Sequence, residues 1–146
     1  MRKVDKALAY ITRGNKLLVF RHLDYPDSGI QVPGGTIQPG ERPEEAVLRE
    51  AQEESGLDWF SEPELLGTAD FDQRVFGKDE LHHRHFFHLC YDGPEVANWR
   101  HDETDPSDGT PGPIRLEFYW VDLQREVPEL VADQGAFLHV LNRKMG

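Results

Sequence analysis

The stretch QVPGGTIQPGERPEEAVLREAQEESGL, residues 31–57, carries the clearest local structural signal in the chain. Its glycine pair predicts a tight turn, and the residues that follow predict a helix over 43–55. Pro43 suits the first position of that helix, and Gly56 suits the position just after its end. The apolar stripe of the helix, which we expect to face the core, consists of Val47, Leu48 and Ala51.

The second half of this helix concentrates negative charge. Glu50, Glu53 and Glu54 stand at i, i+3 and i+4, where like charges face one another and cost roughly 0.2–0.5 kcal/mol per pair. They also lie toward the negative end of the helix dipole, and Arg49 is the only base near them. A solvated acidic face is the ordinary interpretation of such a run. Local choices that oppose stability instead indicate function, and clustered carboxylates are what a hard divalent cation such as Mg²⁺ requires.

Strands are predicted on both sides of the helix. Residues 6–12 alternate between two faces and residues 17–22 are mostly apolar, so the Gly and Asn between them predict a hairpin. Residues 93–113 are dense in Pro, Gly and Asp, which predicts one long surface loop. Further strands are predicted at 63–76, 83–92 and 114–123, and a closing helix at 128–144. This order of elements indicates a mixed α/β fold.

Composition restricts the class of protein. A chain of 146 residues fits one domain, residues 1–146, which is large enough to build a core without disulfides. The net charge of −11 argues against a stable complex with nucleic acid or an anionic membrane, since both need a basic face. Cys90 is the only cysteine, and the N-terminus lacks the apolar core of a signal peptide. We therefore expect a cytoplasmic protein.

The acidic helix and the turn before it resemble the Nudix box of the Nudix hydrolase family, G-x5-E-x7-R-E-U-x-E-E-x-G-U, where U is a bulky aliphatic residue. Ala51 is smaller than the usual residue at the first U position, which affects packing rather than chemistry. The matching positions are Gly35, Glu41, Arg49, Glu50, Ala51, Glu53, Glu54, Gly56 and Leu57. The resemblance implies a Nudix-type α/β/α sandwich with a mixed sheet, and the predicted strands and final helix are compatible with that fold over the whole chain.

The resemblance also implies a metal-dependent reaction. Glu50 and Glu54 would be the principal ligands of Mg²⁺, with Mn²⁺ as a substitute, and Glu53 would be a further ligand or the base that acts on water. The expected reaction is hydrolysis of a phosphoanhydride in a nucleoside diphosphate linked to another moiety. Nucleoside triphosphates, modified nucleotides and nucleotide sugars remain open as substrates, and so does a homodimer.

The remaining residues of the box receive supporting roles from the same resemblance. Arg49 would orient the catalytic acids by pairing with Glu41, so Glu41 is expected to be mainly structural. Gly34 and Gly35 would allow the backbone to approach the substrate closely, as glycine does where a Cβ would clash.

Residues outside the box are weaker candidates. Arg21, at the end of a strand, is a candidate for contact with substrate phosphate or base, although an exposed arginine is the plainer interpretation. Glu117 resembles the position of an additional acid in some Nudix enzymes, and a surface glutamate fits equally well. Among the aromatic residues Phe76, Trp99 and Trp120, which could stack on a base, Trp99 is the better candidate because it falls in the predicted loop.

Two alternatives belong to other classes of function. A Nudix-fold module that binds a nucleotide without cleaving it would fit a degenerate box, and the acids here are intact. An isomerase on the same fold would need an added acid–base pair, and Cys90 is better explained as a core residue. Zinc is not predicted either, because strand alternation separates His82 and His88 from His83 and His85.

Overall fold

The computed structural model describes residues 1–103 and 113–145. Its strands are β1 (Arg2–Arg13), β2 (Lys16–His22), β3 (Gly34–Thr36), β4 (Glu64–Asp72), β5 (Glu80–Cys90), β6 (Trp99–Glu103) and β7 (Ile114–Asp122). Its α-helices are α1 (Pro43–Ser55) and α2 (Leu138–Met145), and three short 3₁₀ turns cover Pro26–Ser28, Gln73–Phe76 and Val131–Asp133. No helix in the described part of the chain is long and apolar enough to cross a membrane.

The strands of the described residues form one mixed sheet in the order β4-β5-β1-β2-β7-β6, with β3 attached to β1. The β1–β5 pair is parallel over the length of β1, whereas the other pairs are antiparallel. The predicted hairpin is present as β1 and β2, joined through Gly14 at positive φ.

Apolar side chains cover both faces of the sheet, as strand alternation requires. On one face Ala7 and Phe87 pack with Val47 of α1, in the first of two buried clusters. On the other face Tyr10 and Phe86 pack with Leu141 of α2. The helices therefore lie on opposite faces, and the expected mixed α/β fold in an α/β/α arrangement is confirmed.

Helix α1 has the bounds that its sequence predicts. Pro43 is its first residue, and the helix ends at Gly56, whose φ of 77° few other residues adopt without strain. Arg42 is the N-cap of the helix, although arginine is a poor residue for that position. Its backbone is held in place because its N–H donates to Glu45 Oε1 at 3.0 Å. Ala51 is fully buried, so the small residue in the box marks close packing of the helix on the sheet.

The predicted loop over residues 93–113 is wrong in part, because Trp99–Glu103 forms strand β6. This strand pairs only with β7 among the described strands, at the edge of the sheet. Edge strands carry charged residues that hide the usual strand composition, and RHDE is an example. Residues 104–112 of the predicted loop lie outside the described residues.

Two other predicted boundaries are corrected. The strand expected over 63–76 ends at Asp72, whose side chain accepts from the backbone N–H of Arg74 and starts a 3₁₀ turn. The closing helix expected over 128–144 begins only at Leu138. Before it, Ala132 and Asp133 adopt φ of 54° and 57°, a left-handed conformation that is incompatible with a continuous helix.

Candidate active site

Two glycines bring the β3 backbone against strand β1 and helix α1. A Cβ on Gly34 would lie 2.6 Å from the carbonyl oxygen of Ala7, and a Cβ on Gly35 would overlap the carboxylate of Glu50. No side chain fits at either position without displacing a backbone or a buried acid. The close contacts of these glycines in this structure are with the protein itself, and their approach to a substrate stays a prediction.

Helix α1 directs part of its acidic face into the protein. Glu50 is 1% exposed and Glu54 is 8% exposed, although both are carboxylates, whereas Glu53 is exposed to solvent. Acidic side chains are almost never fully buried unless they are paired or coordinate a metal. The solvated acidic face is therefore the wrong interpretation for Glu50 and Glu54.

Arg49 joins the acids of the box to one another. Its guanidinium donates to both carboxylate oxygens of Glu41, at 2.8 and 3.0 Å, which is the pairing expected from the resemblance. It also donates to Glu50 Oε1 at 2.8 Å, to Glu53 Oε2 at 3.3 Å and to the carbonyl oxygen of Thr36 at 3.0 Å. The geometry fixes the positions of three carboxylates relative to the glycine turn.

Burial makes the inward acids hard to ionise. It raises the pKa of Glu50 to about 7, although the Arg49 guanidinium opposes that rise. Burial also raises the pKa of Glu54 well above its usual range, and the neighbouring carboxyl of Glu103 adds to this effect. One Glu54 oxygen accepts from the backbone N–H of Gly34 at 3.0 Å, which favours the ionised form.

Glu103, at the end of β6, was not predicted as a site residue. Its carboxyl lies within hydrogen-bond reach of Glu54 and contributes to the raised pKa of Glu50. The polar sequence WRHDE gave no strand signal, so the sequence did not place Glu103 beside the acidic helix.

Two observations fit a hard divalent cation. The available donors are carboxylate oxygens, and one of these oxygens has no hydrogen-bond partner among the described residues. Glu50 Oε2 is buried and has no hydrogen-bond partner among the described residues, which is costly for a carboxylate oxygen unless an ion completes it. Within residues 1–103 and 113–145, no three acidic, histidine or cysteine side chains already converge as a ligand set. Glu50, Glu54 and Glu103 are the residues that would hold the ion. Glu53, which is exposed and accepts from Arg49 at 3.3 Å, stays a prediction as a further ligand.

A cavity of about 660 Å³ opens beside these acids, within the size range of small-molecule sites. Glu54 and Glu103 line it together with Gly34 and Gly35. Phe76 lines it as well. Its ring stacks on Phe71, with 6.0 Å between ring centroids, and the residue is 54% exposed.

Arg21 and Glu117 face each other across β2 and β7. Arg21 Nε donates to Glu117 Oε1 at 2.8 Å in an exposed ion pair. Neither residue is among those that line the cavity, as far as the described residues define it. A role for either residue in binding substrate stays a prediction.

The aromatic and cysteine expectations need correction. Trp99 stacks on Phe118, with 5.4 Å between ring centroids, and donates to the carbonyl oxygen of Ser55, so it packs against the core instead of offering a face to a base. Trp120 donates to the carbonyl oxygen of Val96 and packs against the core. Cys90, expected in the core, is exposed at the end of β5.

The histidines of β5 have separate partners. His82 contacts Glu80, at 3.0 Å between Nε2 and Oε1, and His83 contacts Asp70 at 2.6 Å. His88 is buried against Thr12, and burial lowers its pKa to about 4. Among the described residues they assemble no zinc site.

Comparisons with known proteins place the fold. The model of the NUDIX domain matches residues 2–140. Crystal structures similar to this one include a MutT protein from Methanosarcina mazei Go1, with a TM-score of 0.65 and 20% identity over 98% of this chain and 95% of that one. The Ap4A hydrolase of C. elegans has a TM-score of 0.66 and 18% identity, and each chain is covered fully. A UDP-X diphosphatase has a TM-score of 0.63 and 16% identity over 100% of this chain and 66% of that one.

A comparison with curated protein sequences finds no significant match. The domain model nonetheless spans nearly the whole chain, and it includes the glycine turn, the acidic helix and the strands that frame the cavity. The chain therefore belongs to the Nudix hydrolase family.

Proposed function

We propose that this Nudix pyrophosphohydrolase uses a divalent cation to cleave a phosphoanhydride in a nucleoside diphosphate linked to another moiety. The observation that carries the proposal is the burial of Glu50 and Glu54 beside Glu103, with one carboxylate oxygen of Glu50 left without a partner. Such an arrangement is costly for folding, and its cost is offset when a cation binds.

The cation we propose is Mg²⁺, with Mn²⁺ as a substitute, held by Glu50, Glu54 and Glu103. When bound, such an ion neutralises the charge of a diphosphate and lowers the pKa of bound water. Glu53, exposed and close to Arg49, is the residue that we propose takes the proton from the attacking water. Arg49 and Glu41 act by holding these acids in position.

The cavity supports a nucleotide as substrate, and Phe76 is the aromatic side chain that we propose contacts the base or sugar. The structural neighbours act, by their names, on Ap4A and UDP-X. Nucleoside triphosphates, nucleotide sugars and dinucleoside polyphosphates are therefore the first compounds to test. A single domain over residues 1–146, a cytoplasmic location, a homodimer and the lack of a nucleic-acid partner stay predictions.

The test is a phosphate-release screen over these three classes of compound, with Mg²⁺, with Mn²⁺ and with a chelator. We expect hydrolysis of at least one class that the chelator stops and either cation restores. Binding of a nucleotide without cleavage across the whole panel would instead identify a non-hydrolytic binding module.

A further inference from the structure

The cavity that holds the acids also contains two adjacent cations. Lys6 of β1 and Arg84 of β5 are direct partners in the parallel strand pair, and both line the cavity. Like charges directly opposite each other in a sheet are destabilising. This chain has a net charge of −11, so its few cations are not expected to be placed beside one another without cause.

Arg84 is the more unusual of the two, because it is 5% exposed and yet has no carboxylate within 4.0 Å among the residues that the structure describes. Its one hydrogen bond to the described residues runs from Nη1 to the carbonyl oxygen of Ala132. Phe71 packs on the guanidinium, with 4.4 Å from Cζ to the ring centroid. Asp133, an acid whose charge acts on Arg84, is exposed to solvent. A buried arginine is ordinarily paired.

The segment that receives Arg84 is built to hold its shape. Ala132 has a positive φ, and such backbone persists only where the surroundings fix it. Here Tyr10 Oη donates to the carbonyl oxygen of Gln134 at 2.6 Å, and the Val32 N–H donates to Gln134 Oε1 at 2.8 Å. Phe71 therefore covers one face of the guanidinium, and the carbonyl oxygen of Ala132 accepts from one of its nitrogens. The other N–H groups remain for a ligand in the cavity.

The polar groups around the two cations at this end of the cavity have partners of their own. Glu80 lines the cavity, and it is engaged by His82 at 3.0 Å and by Arg2 at 3.7 Å. Lys6 Nζ donates to the neutral Thr36 Oγ1 at 2.8 Å. Burial lowers the pKa of His82, and the charges of Lys6 and Arg84 lower it further.

We propose that Lys6 and Arg84 bind a second anionic group of the substrate, a phosphate monoester or a carboxylate, apart from the phosphoanhydride that is cleaved. Ammonium and guanidinium groups only donate hydrogen bonds, and a guanidinium fork matches the oxygens of either anion. The ligand thus supplies the counter-ion that Arg84 lacks. This inference rests on the proposed function for its account of the substrate.

The two cations lie far enough from the acids to bind a part of the substrate that is remote from the cleaved bond. Gly34, which binds Glu54, pairs with Leu8, and Lys6 is two residues further along β1. Two residues of a strand span about 7 Å. One molecule in the cavity can therefore place its diphosphate near Glu54 and a second anion near Lys6.

The kinetic test uses pairs of substrates that share a diphosphate and differ by one anion. NAD⁺ and NADP⁺ differ by a phosphate monoester, and UDP-glucose and UDP-glucuronate differ by a carboxylate. We expect the anionic member of at least one pair to have a kcat/KM about tenfold higher or more. Arg84→Met and Lys6→Met should remove that preference, and Lys3→Met should keep it. Lys3 is the matched control because it lies on the same strand and is exposed away from the cavity as described.

A second measurement is independent of catalysis. Inorganic phosphate is titrated into metal-free protein by calorimetry, with a chelator present, so that the acids cannot hold the anion through a cation. Saturable binding is expected for wild type, Lys3→Met and Glu54→Gln, and binding weaker by about tenfold or more is expected for Arg84→Met. Melting curves verify that each variant is folded.

The outcomes separate the two proposals. Phosphate binding that depends on Arg84, in a protein that hydrolyses nothing, would refute the proposed function and keep the anion site. Metal-dependent hydrolysis with no preference in either pair, together with no saturable phosphate binding, would overturn the anion site alone.

Discussion

Glu54→Gln should lower turnover by orders of magnitude and at the same time stabilise the metal-free protein. The substitution removes a carboxylate that is proposed to bind the ion, so kcat should fall by about 10²–10⁴-fold. It also removes a buried acid that lies against Glu103 and Glu50, and the Gln carbonyl can still accept from the Gly34 N–H. We expect a gain of roughly 1–2 kcal/mol in the free energy of unfolding, or a few °C in Tm.

The pH dependence of that gain follows from the raised pKa of Glu54. An unfolded chain ionises this carboxyl above about pH 4, whereas the folded chain resists ionisation, so wild type loses stability as pH rises above that value. The advantage of Glu54→Gln should therefore be largest at neutral and alkaline pH and should vanish near pH 4. Kinetics at pH 8 and melting curves across this range, with a chelator present, measure both effects.

Glu62→Gln is the matched control for Glu54→Gln, because Glu62 is exposed in the loop before β4. It should change neither kcat nor Tm measurably. Glu53→Gln should lower kcat by a comparable factor without the gain in Tm, because Glu53 is exposed. Unchanged turnover in both Glu53→Gln and Glu54→Gln would contradict the assignment of the acids.

Arg49→Met should be among the most destabilising single substitutions in the chain. It removes every hydrogen bond between Arg49 and Glu41, Glu50 and Glu53, and it leaves the buried Glu50 without a counter-ion. Removing one partner of a buried ion pair costs about 3–5 kcal/mol, which corresponds to a fall in Tm of roughly 10 °C. Urea unfolding of the metal-free protein measures the loss directly.

A double substitution tests the reason for that loss. In Arg49→Met with Glu50→Gln no buried charge remains at position 50, so most of the lost stability should return. Arg42→Met removes an exposed arginine that pairs with Glu45 on the same helix, and it should cost less than about 1 kcal/mol. If Arg49→Met unfolds at the same urea concentration as wild type, Arg49 does not hold the acids.

The part of the site that could be predicted lies within one stretch of local sequence. The helix signals at Pro43 and Gly56 fix α1, and the spacing of Glu50 and Glu54 then fixes which side of the helix they share. The box also led to the pairing of Arg49 with Glu41. These relations depend on residues close in sequence, where periodicity and end signals have strong physical causes.

The rest of the site depends on pairing between distant segments. Glu103 reaches Glu54 only because β6 pairs with β7 at the sheet edge, and the polar composition of β6 gave no strand signal. Arg84 meets Lys6 only through the parallel pairing of β5 with β1. Strand alternation predicts which face of β5 Arg84 lies on, but it does not predict which strand pairs with β5.

Binding of the cation is the central claim, and an electron paramagnetic resonance titration with Mn²⁺ tests it most directly, because free and protein-bound Mn²⁺ give different signals. Wild type should take up Mn²⁺ saturably, Mg²⁺ should displace it, and Glu50→Gln and Glu54→Gln should each lose the uptake. Glu62→Gln should behave as wild type. If wild type takes up no Mn²⁺, or if both buried-acid variants bind it as wild type does, the account of these acids is wrong.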